Sequence, residues 1–195
     1  LDVDKYIAAI FPLVKEYYDR QAAQVDDAGN EVRLSAPAFD EHEAMRAIST
    51  ILGGWISQGK NVREFEESAA RYFGTGSGIA VNSGSSANLI ALLALKEHKG
   101  IEDGAEVIVP AATFATVSML VIQAGLVPVY VDVDLDSLNI SPDAAEAAIS
   151  ERTKILMPVH TLGYPAEMDQ LMAIAAKHDL AVLEDCCEAH GSALN

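Results

Sequence analysis

From residue 78 onward, short β-branched runs alternate with amphipathic helical stretches, and this rhythm constrains the fold more than any other feature of the chain. Strand-like runs fall at 79–82, 106–109, 127–131, 154–158 and 181–184; helical patterns fall at 86–96, 113–124, 143–150 and 168–178. Strands that return only through a helix lie parallel, and a parallel sheet is covered on both faces. The spacing therefore predicts a doubly wound α/β domain with a mostly parallel sheet. Upstream the pattern is purely helical. Helices are expected at 1–23, with Pro12 as a local irregularity, at 41–52, ended by Gly53 and Gly54, and at 62–73, capped by Asn61. The polar stretch 24–37 carries turn chemistry at 26–30. The expected organisation is an N-terminal helical extension, residues 1–60, packed on the α/β body or on a partner subunit. The α/β domain, residues 61–195, follows it.

Charge narrows the partners. With 13 Lys and Arg against 29 Asp and Glu, the net charge is −16, and no broad basic face can meet nucleic acid or an anionic membrane. A small phosphorylated ligand remains open, because a helix N-terminus supplies local positive potential without any Lys. The two cysteines, Cys186 and Cys187, are neighbours, so no spaced disulfide framework exists, and no CxxC or HxxxH spacing suggests a metal. Residues 1–6 lack a basic segment leading into an apolar run, and no apolar stretch reaches membrane-spanning length. The expected location is the cytoplasm.

In a doubly wound sheet, ligands gather at the carboxyl ends of the strands. After the first run comes Asn82-Ser83-Gly84-Ser85-Ser86, leading directly into an apolar helical pattern. Strand, small polar turn and helix together aim backbone N–H groups at an anion. Gly84 allows close approach of the backbone, and Ser85 or Ser86 can cap the helix. The same residues also suit an ordinary capped βα turn. Phe114 follows the second run and reads either as core or as a flat contact for a ring. His160 follows the fourth run and reads either as a site group or as a buried, hydrogen-bonded residue. His190 reads as structural or solvent-facing. After the fifth run, neighbours Glu184 and Asp185 must face opposite ways. An inward Asp185 needs a cationic partner, yet no Lys or Arg sits at any strand end. A ligand with a phosphate at Gly84–Ser86, a flat ring at Phe114 and a protonated ring nitrogen at Asp185 satisfies all three, and pyridoxal 5′-phosphate (PLP) has these parts.

At this level of detail the chain resembles the sugar aminotransferase family of fold-type I PLP enzymes, often called DegT/DnrJ/StrS. The landmarks run in order: Gly54-Trp55-Ile56-Ser57-Gln58-Gly59, Phe65-Glu66, the 81–87 turn, the run 107–116, Val131-Asp132-Val133-Asp134, Arg152-Thr153-Lys154, Pro158-Val159-His160, and Glu184-Asp185 through Ala189-His190-Gly191. The resemblance implies that Gly84, Ser85 and Ser86 hold the cofactor phosphate, Phe114 stacks on the pyridine and Asp185 binds its nitrogen. Glu188 falls where the family carries Gln near the ring's phenolic oxygen, which places a second carboxylate there. The catalytic Lys or His is expected beyond Asn195, so no catalytic residue is visible. The implied activity is aminotransfer to a nucleotide-linked keto-sugar in a homodimer. The stretches Asn82–Leu89 and His160–Gly163 also resemble the nucleotide-sugar 3-dehydrases, in which His replaces the Schiff-base Lys. Two further readings stay open: a homologue that kept the fold and lost the chemistry, and an unrelated nucleotide-binding α/β protein. The absence of GxGxxG and GxxxxGK[ST] counts against the last.

Overall fold

The computed structural model describes residues 2–24 and 39–194. The turn expected at 26–30 lies outside the described residues. The chain divides into two compact units, Leu1–Gly78 and Ile79–Asn195.

The first unit holds three helices: α1 (Val3–Gln24), α2 (Glu41–Leu52) and α3 (Lys60–Phe73). α1 carries Pro12 inside it and lies against α2, where Phe11 meets the His42 ring and Lys15 reaches Glu41. Asp40 caps α2 by accepting the His42 N–H while Glu43 accepts the Asp40 N–H, a capping box that fixes the helix start. α3 begins at Lys60, so its cap position falls on Gly59, which has no side chain to offer. Asn61, the expected cap, lies inside the helix and donates instead to the Thr50 hydroxyl at 2.7 Å.

The second unit is the α/β domain: α4 (Gly84–Lys99), β1 (Glu106–Pro110), α5 (Ala115–Gln123), β2 (Val127–Val131), α6 (Pro142–Ala147), β3 (Thr153–Leu156), α7 (Met168–Lys177) and β4 (Ala181–Val182). The sheet order is β2-β1-β3-β4 with every pairing parallel. β1 is central and buried along its whole length. Its residues split by parity: Val107 and Val109 face the cluster built with Leu92, Val117 and Val121 from α4 and α5. Ile108 faces the other cluster, with Ala145 and Leu171 from α6 and α7. Helices thus cover both faces, as a doubly wound sheet requires. Each fully buried Val, Ile or Leu contributes roughly 1.5–3 kcal/mol, which makes these two clusters the scaffold that fixes the strand ends.

Residues 79–82 carry no strand, contrary to the expectation from their β-branched composition. Composition biases the backbone, but a strand needs a continuous ladder, and this segment belongs to no pairing of the sheet. Ile79 is 77% exposed, so its apolar character is not that of a buried central strand. Beyond β4, the line of the sheet continues as a single bridge between Val159 and Asp185. Asp185 donates its N–H to the Pro158 carbonyl, and His160 donates its N–H to the Asp185 carbonyl. That bridge locks the acidic turn in place.

Candidate functional site

A cavity of about 630 Å³ opens where the carboxyl ends of the strands meet the start of α4. Gly84, Ser85 and Asn88 come from α4, Thr113 and Phe114 follow β1, and Asp185, Cys187 and Glu188 follow β4. Residues after β1, after β3 and after β4 share this crevice with the start of α4, but the 79–82 run is no strand and His160 stays outside the lining, so the expectation of four strand ends facing one crevice holds only in part.

The phosphate-like end is built as a helix start. Ser83 is extended, and its hydroxyl accepts the Ser86 N–H at 3.2 Å, so Ser83 is the cap and not Ser85 or Ser86. The helix begins at Gly84, two residues earlier than the pattern starting at 86 suggests, which moves the cap upstream. Gly84 and Ser85 stand in the first turn, where backbone N–H groups have no intrahelical acceptor. Among the described residues, neither N–H has a hydrogen-bond partner. Ser86 spends its N–H on the cap and does not line the cavity. A methyl group on Gly84 would come within 2.6 Å of the Cys187 sulfur. A side chain at this position would have to displace Cys187.

At the far side of the acidic turn, Asp185 is 5% exposed. Its Oδ2 accepts the Asn88 side-chain amide at 2.8 Å, and its Oδ1 accepts the Cys187 N–H at 3.0 Å. No Lys, Arg or His forms an ion pair with it among the described residues. Every described donor that reaches this buried carboxylate is neutral. Burial first, then a hydrogen bond to Asp185, pushes the Cys187 thiol up to about 11, so it is a thiol at neutral pH. Phe114 is 75% exposed and belongs to no core cluster, which excludes the core reading and leaves its ring face free at the cavity. The Thr113 hydroxyl beside it is buried without a partner.

Glu188 lines the same cavity, and its Oε2 accepts the Leu162 N–H at 2.6 Å. Leu162 has φ 54°, a left-handed conformation that costs a side-chain-bearing residue about 1–2 kcal/mol. Asn139, fully buried, brackets the same turn: it accepts the Thr161 N–H and donates to the Tyr164 carbonyl, each at 2.8 Å. The rim at 161–163 is thus held from two sides.

His160 lies outside the cavity lining. Its Nδ1 accepts the Ala166 N–H at 3.0 Å, so the ring proton sits on Nε2, 3.1 Å from Glu184 Oε2. Cys186 approaches the same pair. A metal at Nε2 would have to displace that proton, and Nδ1 cannot take it while facing an N–H donor. His160 and Glu184 form a hydrogen-bonded pair with Cys186 beside them, and His160 is the buried structural residue of the two readings. Glu184 and Asp185 do point apart, as strand geometry requires. His190 is exposed.

Asn88, Thr113, Cys187 and Leu162 were not singled out by sequence reasoning. Asn88 left one signal, an amide inside an otherwise apolar helical run, where Asn is a poor helix former.

Comparison with known proteins places this geometry. The model of the DegT/DnrJ/EryC1/StrS aminotransferase family matches residues 37–195. A dTDP-4-dehydro-2,6-dideoxy-D-glucose 3-dehydratase of Saccharopolyspora spinosa is 40% identical over 188 residues, 94% of this chain and 41% of the relative. Among solved structures, an E. coli GDP-4-keto-6-deoxy-D-mannose-3-dehydratase with bound hydrated PLP superposes with a TM-score of 0.79 at 31% identity. That match covers 85% of this chain and 43% of the other. An aminotransferase from Psychrobacter cryohalolentis gives 0.72 at 34% identity, covering 80% and 39%. The chain spans less than half the length of each.

Proposed function

The chain belongs to the DegT/DnrJ/EryC1/StrS aminotransferase family, and on that premise we propose that it is the cofactor-binding portion of a PLP-dependent enzyme acting on a nucleotide-linked keto-sugar. The observation that carries this is Asp185: a buried carboxylate with no cationic partner among the described residues, in a cavity that also presents unengaged helix N–H groups. The residues fit the cofactor. The Gly84 and Ser85 N–H groups, with the Ser85 hydroxyl, would hold the phosphate; Phe114 would lie on the ring and Asp185 would meet the pyridine nitrogen, while Ser86 is turned to the Ser83 cap. The unpaired Thr113 hydroxyl is a donor still in search of a polar atom. Bound in this way, PLP supplies an electron sink for a substrate carbanion. Asp185 keeps the ring nitrogen's proton in place, and Glu188 holds the 161–163 turn that borders the substrate side.

Two chemistries fit. Aminotransfer is the activity in the family's name. The second, 3-dehydration, is favoured by the relative that covers nearly the whole chain and by the E. coli structure. They divide on whether Lys or His occupies the Schiff-base position beyond Asn195. A non-catalytic homologue would have no reason to keep a buried, cation-less Asp185. We further infer a cytoplasmic homodimer in which residues 1–60 are a helical extension and 61–195 the cofactor-binding domain. Two unbridged cysteines suit a reducing compartment, and among the described residues no helix is long and apolar enough to cross a membrane.

The test is reconstitution of the full-length protein with PLP followed by borohydride. A cofactor made inseparable from the protein supports aminotransfer. A cofactor that binds but still dialyses away after borohydride supports 3-dehydration. Failure to bind PLP overturns both.

A further inference from the structure

Asn88 stands at the fifth residue of α4, one turn below the N–H groups at the helix start, and it is buried. A buried amide in the middle of an Ala- and Leu-rich helix costs stability unless it is hydrogen-bonded, and Asn is a poor helix former. Its side-chain nitrogen is committed to Asp185 Oδ2 at 2.8 Å, across 97 positions of sequence. The terminal torsion of an aspartate is soft, so burial alone does not set the rotation of its carboxylate. Two donors do set it: Asn88 holds one oxygen and the Cys187 N–H holds the other. Both are neutral, so neither cancels the charge that a ligand cation would meet.

Resting on the cofactor reading above, we propose that Asn88 is a positioning residue. Its amide fixes the rotation of Asp185 and thereby the proton affinity of the ligand atom that Asp185 faces. Because Asn88 rides on the helix whose first turn faces the phosphate, one rigid element both presents the phosphate donors and orients Asp185, whose own backbone is fixed by the bridge to Val159. Asn88 touches neither the reacting atoms nor the phosphate; it acts through Asp185.

The experiment uses the full-length protein in four forms: unaltered, Asn88→Leu, Asp185→Asn and the double variant. Asn88→Leu keeps nearly the same volume and improves helix propensity, and Asn88→Ala serves as a second variant should leucine disturb the fold. PLP affinity is measured by absorbance titration. The pH at which the bound ring nitrogen loses its proton is read from the 15N shift of labelled PLP. The expected result is a loss of roughly tenfold in PLP affinity on Asn88→Leu, with the ring proton lost at a lower pH. In the Asp185→Asn background, the substitution at 88 changes neither quantity further. Inorganic phosphate, which needs only the helix start, should bind Asn88→Leu as it binds the unaltered protein. The proposal is overturned if Asp185→Asn weakens PLP while Asn88→Leu and Asn88→Ala, still folded, leave both the affinity and the ring-nitrogen titration unchanged. It is also overturned if the effects at 88 and 185 simply add. If the unaltered protein binds no PLP at all, the cofactor reading itself fails, and this inference with it.

Discussion

Two buried carboxylates stand at opposite ends of one sheet, and they are held differently. Glu106, 6% exposed, opens β1 at the amino end. It accepts hydrogen bonds from the Ser150 and Thr153 hydroxyls and pairs with Arg152. Asp185, 5% exposed, closes the line of β4 at the carboxyl end and, among the described residues, accepts only neutral donors. One is compensated from within the chain by a full set of partners, cation included; the other leaves its charge to something outside. A carboxylate that is buried, oriented and uncompensated is poor structural material. The difference separates a residue that holds the fold together from one that the fold holds ready.

The largest expected effect is on the Asp185 side. Removing one partner of a buried charge pair costs on the order of 2–5 kcal/mol, so Asp185→Asn should weaken PLP roughly a hundredfold or more. The melting temperature should barely fall. An unchanged affinity would dissolve the contrast with Glu106.

Glu106→Gln should do the reverse: PLP affinity unchanged, stability lower by about 1–2 kcal/mol in denaturant titration. Its pH dependence has a definite sign. The Ser150 hydroxyl above all, aided by Arg152 and Thr153, holds the Glu106 carboxyl below the usual carboxylate range against the opposing effect of burial. A depressed folded-state value gives stability that is complete above the unfolded value and is lost as pH falls through the folded one. The acid limb of the stability curve should therefore flatten in Glu106→Gln. A limb of unchanged slope would assign that titration elsewhere.

Gly84→Ala probes the packing of the turn. The new methyl meets the Cys187 sulfur at 2.6 Å, so overpacking of about 1–3 kcal/mol is expected in thermal or chemical unfolding. Adding Cys187→Gly should restore most of it. Failure of that rescue would mean that Gly84 serves its backbone and not its neighbour. The smallest effect belongs to Phe114→Ala. With a ring so exposed, stability should stay within about 0.5 kcal/mol, while PLP affinity drops roughly tenfold as a stacked face is lost. Equal affinity in calorimetry would remove Phe114 from the site.

The sequence showed the carboxyl ends of the strands as the place to look, because strand spacing and helix amphipathicity are local properties. It showed that Glu184 and Asp185 must point apart, because pleating forces it. It left Phe114 and His160 each with two readings, since burial is decided by distant residues: Phe114 proved exposed, and His160 proved tied to Ala166 and Glu184. Asn88 and Asp185 are 97 positions apart, and nothing local announces that pairing. The helix cap slipped from Ser85 or Ser86 to Ser83 because an apolar pattern marks the buried face of a helix and not its first residue. Residues 79–82 have strand composition without a place in the ladder, which is a property of neighbours and not of the segment.

A crystal structure of the full-length protein soaked with PLP tests whether one cavity binds PLP by its two ends. The phosphate should lie on the Gly84 and Ser85 N–H groups, the ring on Phe114, and the pyridine nitrogen about 2.7–2.9 Å from Asp185. PLP bound elsewhere, or bound with Asp185 out of reach of the ring nitrogen, would contradict it.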